Sequence, residues 1–336
     1  MPPLSVGKLP HDMLRRQLAK IKIDDSRVLV ASRIGEDCAV VKTNGRCLVA
    51  STDPVTFTAG RIGWYGVHVN ANDVAAMGAR PLYFLATVLL PEGADEGQAD
   101  AVFDDILDAC KQVGATLIGG HIEVTAELPR TMMAGTMLGE VDNDRLITKD
   151  GIGGGEDIIL TKWAGLEGTA ILAVEKRKEL SAEVPADMLD RAAKLIYEPG
   201  ISVVKDALTA CEAAGKGGIH AMHDPTEGGV ATAIHELADA AGCGAVVDYD
   251  KIPIRDDTRR FCEIFDLDPL GIISSGALLI ASDPQATDAI IRAVQAAGIN
   301  AVRIGSITAE RDVRLLKDGK ELPMPRYDRD EVSKVL

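Results

Sequence analysis

The chain has 336 residues and a net charge of −15; 46% of its residues are hydrophobic, 26% are charged and 4% are aromatic. This length fits two domains of an ordinary globular protein. Because no Lys/Arg cluster offsets the acidic charge, we exclude nucleic acid as a partner. No apolar run reaches the roughly 18 residues that cross a bilayer, and the N-terminus lacks the apolar core of a secretory signal. We therefore expect a cytoplasmic protein that does not bind membranes.

The first half of the chain alternates between strand and helix patterns. Residues 28–32 and 47–51 have strand composition, with Asn44-Gly45 between them as a hairpin turn signal. Residues 62–77 have helical periodicity and stop at Gly78, a residue type that commonly follows a helix end. This half is completed by an amphipathic helix that ends at Gly114 and by strands at 82–90, 115–124 and 131–141.

Three consecutive glycines at 153–155 mark either a crossing between domains or a loop inside one. The second half repeats the alternation of strands and helices, so the sequence predicts a mixed α/β (α+β) class. Helices are expected at 201–213, 229–241 and 285–297, and strands at 276–282 and 300–307.

Four aspartates share a local pattern, because each stands beside small or turn-forming residues near the end of a predicted element. They are Asp37, Asp53, Asp73 and Asp224. Hard oxygen ligands that arrive singly from separate loops suit Mg²⁺ when the ion also binds phosphates and waters. Aspartates are also common at loops and helix caps, so any one of them has an ordinary explanation. Ser51, Thr52 and Asn72 beside them shift the interpretation towards a site.

The stretch HDPTEGGVA places glycines at the expected start of a helix. Thr226 is a candidate cap, and Gly228 and Gly229 would let a phosphate approach open backbone N–H groups. A capped helix with a glycine-rich entry explains the same pattern equally well.

His121 and Glu123 follow Gly119 and Gly120 directly and share one face of a predicted strand. They suit an acid–base pair, metal ligands or a polar pair at a strand end. The two glycines predict a backbone that a ligand or another strand approaches closely. From the residues alone, the chain is predicted to hold an Mg²⁺ and phosphate site in a two-domain α/β protein.

Taken in order, several stretches resemble the AIR synthase (PurM-like) superfamily of ATP-using enzymes. They run from residue 5 to about 282 and read SVGKLP, IGEDCAV, STDPVTF, VHVNANDVAAMGARP, LIGGHIEVT, HDPTEGGVATAIHELA and SSGALLIA. Within the superfamily, GGHIEVT and HDPTEGGVA are most similar to the branch of the hydrogenase maturation factor HypE.

The resemblance implies a two-domain PurM-like fold. Residues 1–152 would form an N-terminal ATP-binding domain whose sheet pairs with that of a second subunit in a homodimer, and residues 153–336 a C-terminal α/β sandwich domain. It implies Mg²⁺ on Asp37, Asp53, Asp73 and Asp224, and catalytic roles for Asp73, His121 and Glu123. The implied nucleotide- and phosphate-binding residues are Asp37, Ser51, Thr52, Asn72, Gly119, Gly120, Asp224, Thr226, Gly228 and Gly229.

The implied reaction is phosphorylation of an amide or carbonyl oxygen by ATP, which prepares that oxygen to leave in a dehydration. The amide would belong to a small molecule or to a maturation partner protein. HypE proteins end in a cysteine, whereas this chain ends EVSKVL, so we expect either a different acceptor or a HypE-like branch with another substrate. Two alternatives are a phosphotransferase similar to thiamine-monophosphate kinase and a non-catalytic nucleotide-binding partner protein.

Overall fold

The computed structural model describes residues 9, 11–33, 35–55 and 60–336, and it describes residues 11 and 12 by their backbone only. Apart from Leu9, the SVGKLP stretch lies outside the described residues, as do position 34 of IGEDCAV and positions 56 and 57 of STDPVTF. Among the described residues, no helix is both long enough and apolar enough to span a bilayer.

The first half of the chain builds one six-stranded sheet with helices against one of its faces. Its elements are α1 (His11–Leu18), β1 (Val28–Val30), β2 (Cys38–Lys42), β3 (Arg46–Val55), α2 (Ile62–Ala76), β4 (Arg80–Pro91), α3 (Glu96–Val113), β5 (Thr116–Thr125) and β6 (Met132–Asp142). The strand order is β1-β2-β3-β6-β4-β5. Only β4 and β5 pair in parallel, and α3 supplies the crossover that a parallel pair needs.

Helices α2 and α3 form for different reasons. Helix α3 is amphipathic and begins with a capping box, in which Asp95 accepts from the Gln98 N–H and the Gln98 side chain accepts from the Asp95 N–H. It ends at Gly114 with φ of 75°, as the sequence predicts. Helix α2 is buried almost all round, because it lies between the sheet, α3 and the second half of the chain.

The second half builds a seven-stranded sheet in the order β13-β12-β9-β11-β7-β10-β8. Its elements are β7 (Asp157–Thr161), α4 (Leu166–Glu175), α5 (Arg177–Leu180), α6 (Ala186–Ala193), α7 (Val204–Ala214), β8 (Ile219–His223), α8 (Gly229–Ala241), β9 (Gly244–Asp248), α9 (Asp256–Phe265), β10 (Leu279–Ser282), α10 (Pro284–Ala296), β11 (Ala301–Thr308), β12 (Val313–Lys317) and β13 (Lys320–Pro323). The predicted mixed α/β class is thus confirmed.

One hydrophobic cluster spans the two halves of the chain, and two further clusters lie within the second half. Buried residues of α2, such as Val67 and Val74, belong to the same cluster as Val203 and Ala207 at α7. Helix α2 packs directly on α7, so the face of α2 that points away from its own sheet is covered by the second half of the chain. Burial on both sides explains why α2 carries almost no exposed residue.

The hairpin prediction is wrong in one respect. The Asn44-Gly45 turn joins β2 to β3, and β2 is a separate strand that lies between the two strands predicted at 28–32 and 47–51. The segment CAVVK alternates buried and exposed residues, and the sequence interpretation treated it as part of a connection. The strand β1 is short and pairs only with β2.

A buried ion pair fixes the segment that enters α7. Lys162 Nζ lies 2.8 and 2.9 Å from the two carboxylate oxygens of Asp206, and it also donates to the carbonyls of Ser202 and Gly276. Both side chains are almost fully buried. Because breaking a buried pair leaves an uncompensated charge, such a pair depends on both partners.

We expect Lys162→Met to lower the free energy of unfolding by about 3–5 kcal/mol, because Asp206 would keep a buried charge without its cation. The double variant Lys162→Met/Asp206→Asn should recover much of this loss, since the amide still accepts from Thr161. Urea denaturation measures both. The control is Lys251→Met at an exposed ion pair, with an expected loss of less than about 1 kcal/mol. Equal losses in the single and double variants would contradict this account.

Candidate functional site

Helix α2 and strand β3 meet through a buried polar contact. Ser51 Oγ in β3 donates to Asp73 Oδ2 in α2 over 2.6 Å, and both side chains are buried. Asn70, one turn earlier, accepts from the Asp53 N–H over 2.8 Å and donates to the Gly66 carbonyl. Asn70 thus fixes β3 against α2 beside Asp73.

Of the four aspartates singled out in the sequence, Asp73 lies close enough to the other three for their charges to act on it. Burial raises the pKa of Asp73 well above its ordinary value, and the negative charges of Asp224, Asp37 and Asp53 raise it further. The hydrogen bond from Ser51 opposes this shift in pKa. The fold therefore gathers carboxyl groups from the segment before β2, from β3, from α2 and from the segment after β8.

Asp224 is the second buried carboxyl group of this set. Burial raises its pKa to about 6, the charge of Asp37 adds to the shift, and His223 and a hydrogen bond from Asn72 oppose it. Its Oδ2 atom has no hydrogen-bond partner among the described residues. A buried carboxylate oxygen without a donor is an expensive arrangement, and a cation or a ligand donor would relieve it.

Asp37 is the exposed member of the set and has two cationic neighbours. Lys149 Nζ and His223 Nδ1 each lie 3.9 Å from Asp37 Oδ2. Lys149 is buried and also donates to the Gly35 carbonyl, whereas His223 Nε2 pairs with Glu236 over 2.8 Å. The sequence interpretation named neither Lys149 nor His223 as a site residue.

The donor set is open rather than closed. Among the described residues, no three His, Cys, Asp or Glu side chains converge closely enough to hold a metal ion. Mg²⁺ usually takes one or two protein carboxylates and completes its shell with phosphate oxygens and waters. The hard oxygens of Asp73 and Asp224 therefore fit an ion that arrives with a nucleotide.

Asn72 joins the two halves of the chain at the edge of this set. Its amide donates to the Ile201 carbonyl over 2.9 Å and accepts from the Val203 N–H over 2.8 Å. Asn72 also lowers the pKa of Asp224. The buried side chain of Asn72 thus holds α2 against the segment that enters α7, close to Asp224.

Thr52 points away from the carboxyl groups. Successive side chains of a strand face opposite sides, so Ser51 and Asp53 lie on the α2 side of the sheet and Thr52 lies on the outer side. There Thr52 donates to the Gly135 carbonyl and accepts from Thr136 Oγ1. Within one chain, Thr52 is not part of the carboxyl cluster.

His121 and Glu123 also lie apart from the carboxyl cluster within one chain. They pair over 3.0 Å on the edge strand β5, and both are exposed on the outer face of the sheet, three strands away from β3. Hydrogen bonds from His121 and Thr125 lower the pKa of Glu123. Gly120 is explained by packing, because a Cβ there would lie 2.0 Å from the Ala86 carbonyl oxygen, whereas Gly119 faces open space.

The start of α8 differs from its prediction. The N-cap is Gly228, with φ of 78° and no side-chain cap; Thr226 contributes only its carbonyl, which accepts from the Gly229 N–H. The Gly228 N–H donates to Asp330 Oδ2 over 2.9 Å, and the Ala231 N–H to the Leu270 carbonyl. The expected open donors of Gly228 and Gly229 are therefore occupied within the chain.

Glu167 is a buried carboxyl group that the sequence interpretation missed. Burial raises its pKa to about 7, a hydrogen bond from Ser275 opposes the shift, and the charges of Asp330, Asp224 and Glu227 add to it. Glu167 therefore adds a second buried carboxyl group from the second half of the chain, which already supplies Asp224. A signal was present, because Glu167 is the only charged residue in the apolar run 164–174.

Two family models match the chain. Residues 35–141 match the N-terminal domain of AIR synthase related proteins, and residues 153–318 match the C-terminal domain. The chain belongs to the AIR synthase-related protein family. A carbamoyl dehydratase HypE of Cupriavidus necator is 30% identical over 285 residues, which is 82% of this chain and 77% of that protein. The HypE of Rhizobium leguminosarum bv. viciae is 29% identical over 287 residues, 83% of this chain and 78% of that protein.

Solved structures of the AIR synthase-related family share the fold. A HypE in complex with ATP superposes with a TM-score of 0.72 at 23% identity, covering 94% of this chain and 91% of that one. A HypE–HypF complex gives 0.73 at 19% identity, covering 86% and 93%. A thiamine monophosphate kinase of Aquifex aeolicus gives 0.69 at 17% identity, covering 93% and 96%. At these identities, the likeness establishes the two-domain fold.

Because the pKa of Glu167 is raised, we expect the free energy of unfolding to depend on pH. Because the folded state holds this proton up to about pH 7, its contribution to stability is complete below the ordinary carboxyl pKa and is lost as the pH rises through 7. Glu167→Gln should therefore be more stable than the natural chain at pH 8, by on the order of 1–3 kcal/mol, with little difference near pH 4.5.

Denaturation of both proteins between pH 4.5 and 8 measures this difference. The control is Glu175→Gln, at an exposed position of the same helix, which should leave the pH profile unchanged. Parallel profiles of the natural chain and Glu167→Gln would contradict the buried, protonated state of Glu167.

Proposed function

We propose that this chain is an ATP- and Mg²⁺-dependent enzyme similar to HypE, which phosphorylates the oxygen of an amide and so prepares it for dehydration. The observation that carries the proposal is the buried carboxyl group of Asp73, on which the charges of Asp37, Asp53 and Asp224 act from three other segments. Buried carboxyl groups without matching cations are a typical feature of sites that bind a metal and a phosphate. The HypE names of the sequence relatives supply the reaction class.

The residues divide into those that hold Mg·ATP and those that shape the site. Asp73 and Asp224 are the proposed metal carboxylates, with Asp53 and Asp37 completing the set from the strand side. When bound, Mg²⁺ supplies charge neutralisation for the phosphates. Lys149 and His223 balance Asp37, and Ser51 and Asn72 orient Asp73 and Asp224 through the hydrogen bonds already described.

The proposed reaction has two steps, phosphorylation of the amide oxygen and loss of phosphate. The amide oxygen attacks the γ-phosphorus of ATP, and ADP leaves with the electrons of the broken P–O bond. Loss of the two N–H protons and departure of phosphate then convert the amide to a nitrile. The carboxyl group of Glu167, with a pKa of about 7, is suited to exchange protons near neutral pH.

His121 and Glu123 fit this proposal only in a homodimer. They share the outer face of the six-stranded sheet, and its residues are mainly apolar, including Leu48, Leu85 and Leu138. Tyr83 is 45% exposed there. An apolar sheet face of this extent is typical of a subunit interface. We propose that two such faces pack together and carry His121 and Glu123 of one subunit towards the nucleotide site of the other.

Three further elements complete the proposal. We place the domain boundary between residues 152 and 153. We place the protein in the cytoplasm, where six free cysteines, Cys38, Cys47, Cys110, Cys211, Cys243 and Cys262, stay reduced. Because a HypE has been solved together with HypF, we propose that a maturation protein presents the amide substrate.

Mg·ATP binding tests the nucleotide site directly. Calorimetry should detect Mg·ATP binding to the natural chain, and Asp73→Asn should weaken it at least roughly 100-fold, because a metal carboxylate is lost. The same variant should unfold at a higher temperature than the natural chain in the absence of ligand, since it removes one of several repelling carboxyl groups.

The control is Asp256→Asn at the exposed start of α9, which should match the natural chain in both measurements. If the natural chain binds no Mg·ATP, the proposed function fails. Clear formation of thiamine diphosphate from thiamine monophosphate would instead support the kinase alternative, to which the shared fold also corresponds.

The homodimer has its own test. Leu138→Glu places a charge on the outer face of the sheet and should convert a dimer into a monomer, because a buried unpaired charge opposes association. Light scattering measures the mass. Val174→Glu, which changes an exposed apolar residue of α4, should leave the dimer intact. A monomeric natural chain would contradict the proposed interface.

A further inference from the structure

A cleft of about 480 Å³ lies between the two halves of the chain, outside the carboxyl cluster. One wall is formed by the start of β3, the start of β4, the end of β6 and the connection at 144–151. The other wall comes from the end of α7, from residues 215–217 and from the start of β8. This volume is in the range of small-molecule sites, which occur preferentially between domains. We refer to it as the interdomain cleft.

The lining of the interdomain cleft combines charged side chains with an apolar group of residues. The apolar group includes Leu82, Val141, Leu146, Leu208 and Ile219. An apolar group of this kind favours a ligand with a hydrocarbon or aromatic body.

Some charged groups of the interdomain cleft form ion pairs, and others do not. Arg46 lies 2.8 Å from Glu140 and 3.4 Å from Asp142, and Lys216 pairs with Asp144 across the cleft. The guanidinium groups of Arg80 and Arg145 form no ion pair or hydrogen bond with a described residue.

Glu212 is the one carboxylate of the interdomain cleft without a cationic partner among the described residues. An entering anion would therefore meet two guanidinium groups outside any ion pair, the carboxylate of Glu212, and three carboxylates that are already paired, those of Glu140, Asp142 and Asp144. In a chain with a net charge of −15, unpaired arginines in a cleft are a specific feature.

The surroundings of Arg145 and Arg80 leave both guanidinium groups free to contact a ligand. Its charge acts on Cys211 of α7, where it opposes the rise in pKa that burial causes. The charge of Arg145 also acts on Asp144 of its own wall, where the hydrogen bond from Lys216 and then this charge lower the pKa of that carboxyl group. Arg80 lies opposite Glu140 in the β4–β6 pairing, but Glu140 is already engaged by Arg46. Both arginines thus remain available to a ligand.

We propose that the interdomain cleft binds a small organic anion, with its carboxylate or phosphate group on Arg80 and Arg145 and its apolar body on the lining formed by α7 and the 144–151 connection. This site is separate from the proposed nucleotide site. The interdomain cleft and the proposed nucleotide site are nevertheless connected by two segments. Lys149 of the 144–151 connection donates to the Gly35 carbonyl near Asp37. Strand β8 begins at the cleft and ends directly before Asp224.

Calorimetry with benzoate, phenyl phosphate and benzamide, without Mg²⁺ or nucleotide, tests the proposal. Benzoate or phenyl phosphate should bind the natural chain, whichever of the two anionic groups the cleft prefers, and uncharged benzamide should bind at least roughly tenfold more weakly. Arg80→Gln/Arg145→Gln should weaken anion binding at least roughly tenfold, whereas Arg292→Gln/Arg311→Gln, with the same change in net charge at exposed positions, should not. A crystal soaked with 4-iodobenzoate should show the iodine signal in the cleft.

The proposal is overturned if neither anion binds at about 10 mM, if the two double variants bind alike, or if the iodine signal lies elsewhere. Because nucleotide is absent, these outcomes are independent of the proposed function. Asp73→Asn should bind both anions as the natural chain does, and a loss there would assign the binding to the carboxyl cluster and also overturn the proposal.

Discussion

The fold brings carboxyl groups together although their negative charges repel one another, and the rest of the structure has to compensate for this repulsion. Asp73 and Asp224 are buried, and the fold brings them near Asp37 and Asp53 without an equal number of cations. Hydrogen bonds from Ser51 and Asn72 lessen the unfavourable charge but do not remove it. The rest of the fold must therefore supply enough stability to keep this cluster intact, and strain of this kind is typical of a functional site.

Helix α2 connects that cluster to everything around it. Asn70 holds β3, Asp73 carries the central carboxyl group, and Asn72 holds the entry to α7. These residues are polar because they make specific contacts on three sides of a helix that has no solvent face. A change in the distance between the two halves of the chain would therefore move Asn72 and Asp224 together, and would alter the site without any change to its own residues.

The sequence predicted the features that depend on local chemistry. Gly114 ends its helix, the strand and helix alternation fixes the class, and small residues identify the four aspartates. Contacts between distant segments could not be predicted. Asp330 caps α8 from 102 residues further along the chain, so open donors at Gly228 were a reasonable but wrong expectation. Ser51 and Thr52 are neighbours in sequence, yet only the strand register shows that they face opposite sides of the sheet.

We propose that the clustered carboxyl groups form the metal edge of an ATP site. A crystal structure with Mg²⁺ and a non-hydrolysable ATP analogue tests it most directly. The account predicts metal density about 2.1 Å from carboxylate oxygens of Asp73 or Asp224, with the terminal phosphate beside it. Nucleotide bound elsewhere, or phosphates that approach the chain without contact to this cluster, would contradict the account.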